Sequence, residues 1–200
     1  MAKRGRIQYP APRLLNRTVD ADTLRCARQH GLGELAAHVL AGRIEGILQP
    51  DFLVPIVSPA LRHLDHFRGL SAIEPAAARI VTAIVSGERI AIVSDHDCDG
   101  VTGHAVVRLA LEELFGVPAE RIQSWIGHRL QEGYGLTDGL VQRILQSDSR
   151  PDVLITVDHG SSDESRIRIL RDKGIDVIVT DHHAMPEEGP PASALACVSP

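Results

Sequence analysis

The segment RIAIVSDHDCDG (89–100) joins two patterns that rarely meet by accident. Its first half is a short apolar run rich in β-branched residues, which suits a strand covered on both faces. Its second half alternates three aspartates, Asp95, Asp97 and Asp99, and closes on Gly100. A buried strand that runs straight into alternating carboxylates sets acid at the edge of a sheet.

The same arrangement recurs twice. The run at 152–157 leads into Asp158, and the run at 175–180 leads into Asp181, His182 and His183. Helical patterns alternate with these strands, at 101–115 (closed by Gly116 and Pro118), at 137–146 and at 162–172. Residues 122–126 read as a further strand, and 195–198 begin a last one. The prediction is an α/β fold, a parallel β-sheet with helices on both faces. Right-handed crossovers bring all strand C-termini to one edge. Asp95, Asp97, Asp99, Asp158, Asp181, His182 and His183 are therefore expected in one crevice.

The N-terminal part has a different character. Residues 1–17 carry five Lys or Arg and no acid, and with Pro10 and Pro12 they read as a disordered basic tail over 1–18. Residues 20–43 read as two short helices separated by the GLG at 31–33. Pro50, Pro55 and Pro59 break the stretch 50–70, and 74–86 is a helix with Ala77, Ile80, Val81 and Ile84 on one face. The expected organisation is a tail over 1–18, a helical segment over 19–87 and an α/β domain over 88–200.

Composition narrows the class. No apolar run reaches membrane-spanning length, and the basic N-terminus lacks the apolar stretch of a secretory signal. Cys26, Cys98 and Cys197 are scattered and form no CxxC, which argues against a disulfide framework or a zinc ribbon. A soluble cytoplasmic protein with no membrane contact is expected. The net charge of −5 argues against a protein that coats DNA by charge alone.

A lone Asp after a strand is often a helix N-cap, and Asp158 taken alone reads equally well that way. The whole set does not, because crowded carboxylates repel one another unless a cation sits among them. Carboxylates joined by one or two imidazoles suit Mn²⁺ or Mg²⁺ better than zinc. Cys98, out of phase with its acidic neighbours, reads as a small packing residue, and His104 as a residue of a helix surface.

Three devices begin with such a run. A calcium loop counted from Asp95 needs a bidentate Glu at its twelfth position, where Val106 stands, and it follows a helix rather than a strand. A haloacid-dehalogenase-type phosphatase would use Asp97 as nucleophile and Asp99 as acid and base. It also needs a lysine and a late acidic pair, and it leaves Asp95 and the histidines without a task. A two-metal phosphoesterase uses all the residues found: alternating aspartates for both ions, a bridging carboxylate from Asp158, and an imidazole from His182.

On these motifs the sequence resembles the DHH phosphoesterases and, within them, the RecJ-type single-stranded-DNA exonucleases. The Asp-His-His signature corresponds to 181–183, the first motif to DHDCDGVTG (95–103), the second to TVDHG (156–160), and a further stretch to GHRLQEGYGL (127–136). The resemblance covers about residues 30–200. It implies two divalent cations, Mn²⁺ or Mg²⁺, with Asp97, Asp158 and Asp95 at one and Asp99, Asp158 and His182 at the other. Asp97, Asp158 and His183 become the catalytic residues, with His183 and Arg129 against the substrate phosphate. The GYG at 133–135 reads as a turn that positions Arg129. The implied reaction is in-line attack of hydroxide on single-stranded DNA, releasing 5′-mononucleotides in the 5′-to-3′ direction. A monomer is implied, with a single-strand-binding protein or a helicase as candidate partners.

The sequence departs from the pattern at Gly103, where the family carries serine followed here by His104, and at Gly127, where it carries proline. The family pattern also continues beyond Pro200, with a fourth motif, a DHHA1 domain and an OB-like domain. The expectation is an N-terminal portion that binds Mn²⁺ weakly and has little activity alone. The alternatives are a non-catalytic remnant or partner-binding module, or a DHH phosphoesterase acting on short oligonucleotides or cyclic dinucleotides.

Overall fold

The computed structural model describes residues 15–43, 54–56 and 58–200. They fall into two units that meet in the chain between Asp65 and His66. The expected disordered tail lies outside the described residues except for 15–18, as does part of the proline-broken stretch.

In the first unit, α1 (Ala21–Gln29) and α2 (Glu34–Ala41) form a helical pair. Asp20 caps α1 by accepting the Thr23 N–H at 2.7 Å, which satisfies one of the free amides of the first turn. Ala27 and Ala37 are buried between the helices, with Leu24, Leu32 and Leu40 around them.

The second unit carries the sheet. Its strands are β1 (Ile90–Ser94), β2 (Ile122–Ile126), β3 (Val153–Val157), β4 (Asp176–Thr180) and β5 (Ala196–Val198). They are all parallel, in the order β2-β1-β3-β4-β5. Alternate side chains leave a strand on opposite faces, and here both faces are covered. Ile90 and Ile92 join a core with Ala76 and Ala83 of α3 (Ile73–Ser86) and with Leu111. Ala91 and Val93 join the opposite core with Leu140 and Ile144 of α5 (Asp138–Leu145) and Ile167 and Leu170 of α6 (Glu164–Asp172). This double burial is why the strands read as continuous apolar runs.

Two boundaries differ from expectation. The helix α3, assigned above to the N-terminal segment, belongs with the sheet, because its small apolar face fills the core over β1. The helix α4 (Cys98–Leu109) begins three residues earlier than predicted and continues as a π-helical turn over Ala110–Leu114. Asp97 makes the earlier start by capping the helix, accepting the Gly100 N–H at 3.2 Å. Cys98 and Asp99 thus lie in the first helical turn. Cys98 is exposed there rather than packed, contrary to its reading as a packing residue.

The chain leaves β1 toward β2 on one side and returns to β3 on the other, so the strand order reverses between β1 and β3. In open parallel sheets the crevice outside such a switch point is where ligands bind. Ser94 pairs with Val157, and Val157 with Thr180. This register sets Asp95, Asp158 and Asp181 side by side at the end of three adjacent strands.

Candidate metal centre and active site

The centre is built on those three strand ends. Asp95, Asp97 and Asp158 bring one oxygen each within 4.8 Å of one another. Asp158, His182 and His183 form a second such group on the other side of Asp158. His182 Nε2 lies 2.9 Å from Asp158 Oδ1 and 3.4 Å from Asp99 Oδ2. The residues expected to converge do so, and Asp158 belongs to both groups.

Asp158 is not a helix cap; α6 starts only at Glu164. Its backbone is left-handed, with φ of 67°, a conformation that costs a non-glycine residue on the order of 1 kcal/mol or more. Both of its carboxylate oxygens, and Asp95 Oδ1, are buried; imidazole nitrogens are set against Asp158 Oδ1 and Asp95 Oδ1, and Asp158 Oδ2 has no hydrogen bond among the described residues. Burial and the nearby Asp99 and Asp97 carboxylates raise the Asp158 pKa above the usual range, while His182 and His183 oppose the shift. Asp97 is held below the usual range, mainly by the Gly100 amide. A buried carboxylate flanked by acids and an imidazole, with no hydrogen bond to Oδ2, fits a hard divalent cation.

Asp181 has a different task. Its Oδ2 accepts the Ser161 N–H at 2.9 Å, and its Oδ1 accepts the His183 N–H at 3.0 Å and the His183 ring at Nδ1, 2.8 Å away. Burial works to raise its pKa, but these bonds outweigh it and draw it down to about 2. The bond to Asp181 in turn raises the His183 pKa. Asp181 therefore orients His183, while His182 faces Asp158.

Arg129 lines a cleft of about 350 Å³ with Asp95, His96, Asp97, Gly133, Tyr134 and His183. Tyr134 is a residue of the centre whose contacts the sequence reading missed. The turn was expected to serve Arg129, yet the Tyr134 hydroxyl donates to the Asp158 carbonyl at 3.2 Å and lies 3.0 Å from His183 Nδ1. The flanking Gly133 and Gly135, both at positive φ, were the available signal. His96 also lines this cleft, with Nδ1 2.9 Å from Asp95 Oδ1. His159 is buried beside the centre, and burial pushes its pKa down to about 4, so it is neutral near pH 7.

The reading of His104 as a helix-surface residue is wrong. It is only 7% exposed, with Nδ1 3.0 Å from Ser94 Oγ and Nε2 2.8 Å from Ser124 Oγ. The packing of α4 on β1 and β3 sets this residue against the sheet.

A parallel sheet that gathers aspartates and an Asp-His-His triplet at its switch point defines a class of phosphoester-cleaving domain. The chain belongs to the DHH family: residues 89–200 match the DHH family, N-terminal domain. Within it the chain is similar to RecJ. It is 36% identical over 122 residues to the single-stranded-DNA-specific exonuclease RecJ of Thermus thermophilus, covering 61% of this chain and 17% of that protein. It is 34% identical over 136 residues to RecJ of Dickeya dadantii, covering 68% and 23%. The match spans about a fifth of the length of these relatives.

Two solved structures share the fold. Exonuclease RecJ bound to manganese superposes with a TM-score of 0.59 at 34% identity, covering 68% of this chain and 33% of the other. RecJ of Thermus thermophilus in complex with Mn²⁺ gives 0.51 at 30% identity, covering 66% and 17%. Both neighbours hold the kind of cation that the carboxylates of Asp158 and Asp95 suit.

Proposed function

We propose that this chain forms the metal-holding part of a nuclease that hydrolyses single-stranded DNA from its 5′ end, using two divalent cations. The observation that carries the reading is Asp158, whose buried carboxylate faces His182 and belongs to two groups of possible metal ligands. In this reading Asp95, Asp97 and Asp158 hold one cation, and Asp99, Asp158 and His182 hold the other. Such a pair lowers the pKa of water and neutralises charge on a phosphodiester under attack.

The protein groups have separate tasks. Asp158 supplies an oxygen to each side, and its left-handed backbone, tied to Tyr134, turns the carboxylate into the crevice. Asp181 holds His183 by Nδ1, which leaves Nε2 for the scissile phosphate. The Asp181 contact favours the protonated form of the His183 ring. Arg129, across the cleft, offers a fork of donors that matches phosphate oxygens. Mn²⁺ or Mg²⁺ fits the ligand set, and the names of the RecJ relatives support single-stranded DNA as substrate. A cytoplasmic location, a monomeric state and a single-strand-binding protein or helicase as partner belong to the same reading.

The test uses purified protein, Mn²⁺ calorimetry and DNA labelled at either end. Saturable binding of Mn²⁺ that disappears in Asp158→Ala, with Mn²⁺-dependent release of 5′ label from single strands, supports it. Mn²⁺ binding with cleavage of short oligonucleotides or cyclic dinucleotides alone would replace DNA as substrate. Absence of any Mn²⁺ binding would overturn the metal reading.

A further inference from the structure

The helix that carries Asp97 and Asp99 sits unusually close to the sheet. A Cβ at Gly100 would lie 2.6 Å from the Asp95 carbonyl oxygen, and one at Gly103 would lie 2.7 Å from Val157 Cγ1. Real side chains do not tolerate such distances, so these glycines let the first turns of α4 rest on the ends of β1 and β3. Contact alone does not fix the helix against sliding along the strands. The next residue, His104, supplies directional bonds.

Ser124 Oγ accepts from Arg108 Nη1 at 2.9 Å and lies 2.8 Å from His104 Nε2. His104 Nδ1 lies 3.0 Å from Ser94 Oγ. The ring thus bridges two serine hydroxyls, each able to donate or accept. Burial, with the Arg108 charge second, lowers the His104 pKa and so disfavours the charged ring. The chain therefore links α4 to β2 and to the last residue of β1, directly before Asp95.

We propose that His104 is a positioning residue of the metal centre: by tying α4 to Ser94 and Ser124 it sets the spacing of Asp95 against Asp97 and Asp99. The proposal rests on the reading of that centre as cation-binding. It also accounts for the departure at Gly103, since a bridge from the following residue secures the helix where the family pattern carries serine.

The test measures Mn²⁺ affinity by calorimetry and thermal stability in EDTA for the wild type, His104→Ala, Ser94→Ala and the double variant. The expected result is Mn²⁺ binding weakened about tenfold in each single variant at a temperature where all are folded. The double variant should be no weaker than the worse single one, because both changes break one bridge. A lower melting temperature with Mn²⁺ affinity unchanged within about twofold would reduce His104 to a stability residue and overturn the proposal. If His104→Ala does not fold, Ser94→Ala decides by the same criterion, since it removes a single oxygen. Wild-type protein that binds no Mn²⁺ overturns both the centre and this proposal, whereas binding that is indifferent to either variant overturns this proposal alone.

Discussion

Asp158 Oδ1 lies 2.9 Å from His182 Nε2, although the two side chains come from the ends of neighbouring strands. Asp158→Asn keeps the shape and removes the charge. We expect Mn²⁺ affinity to fall by at least about 100-fold, more than for loss of a supporting group. In EDTA the same variant should melt at a higher temperature than wild type, because its carboxylate is buried among Asp97 and Asp99. Differential scanning calorimetry with and without Mn²⁺ checks both signs.

The two histidines of the triplet should separate. His182 faces Asp158 and Asp99, whereas His183 is held by Asp181. His182→Ala should lower Mn²⁺ stoichiometry or affinity. His183→Ala should leave Mn²⁺ binding nearly intact and slow DNA hydrolysis about 100-fold, a typical cost for a group acting on the reacting centre. Calorimetry and single-turnover assays on the same preparations distinguish the two roles.

Tyr134→Phe removes one hydroxyl and keeps the ring. The lost bond to the Asp158 carbonyl should cost about 1 kcal/mol of stability. The freed His183 ring and Asp158 turn should slow hydrolysis roughly tenfold, since small displacements of reacting groups are costly. Unchanged turnover would show that the hydroxyl does not position either residue.

His104 should make metal-free stability depend on pH. Its folded pKa is lowered, so below the unfolded value of about 6.5 the unfolded chain binds the proton more readily. The contribution is complete above that pH and is lost as pH falls toward the folded value. Chemical denaturation in EDTA should show a shallower fall over this range for His104→Asn than for wild type.

Gly103→Ser would restore the residue that the family pattern carries. Here its Cβ would meet Val157 Cγ1 at 2.7 Å. Overpacking of this kind costs about 1–3 kcal/mol. Denaturant titration should therefore find the variant less stable than wild type, with weaker Mn²⁺ binding if α4 shifts.

The alternation of apolar runs and helical patterns was enough to predict the parallel sheet, because burial of both faces leaves its mark on every strand residue. The convergence of Asp95, Asp158 and the 181–183 triplet followed from the handedness of crossovers. The packing of α3 on the sheet was not legible because α3 carries an ordinary amphipathic pattern. That pattern tells which face is buried, not which neighbour covers it. His104 was misread for a related reason: the pattern of α4 does not reveal that two serines, ten and twenty residues away, wait for its ring.

The sequence by itself determined the class of fold and the acidic set at the sheet edge, since strand periodicity and chain chirality are local rules. The shared role of Asp158 was also expected from the sequence, and register between β1, β3 and β4 brings it beside its partners. Only the tertiary structure decided the finer contacts. Hydrogen bonds gave Asp181 to His183 and Asp97 to the start of α4. The Tyr134 loop reached across to the Asp158 backbone. The Tyr134 contact depends on a distance between residues far apart in the chain, and the two local contacts depend on backbone turns that the residue pattern leaves open.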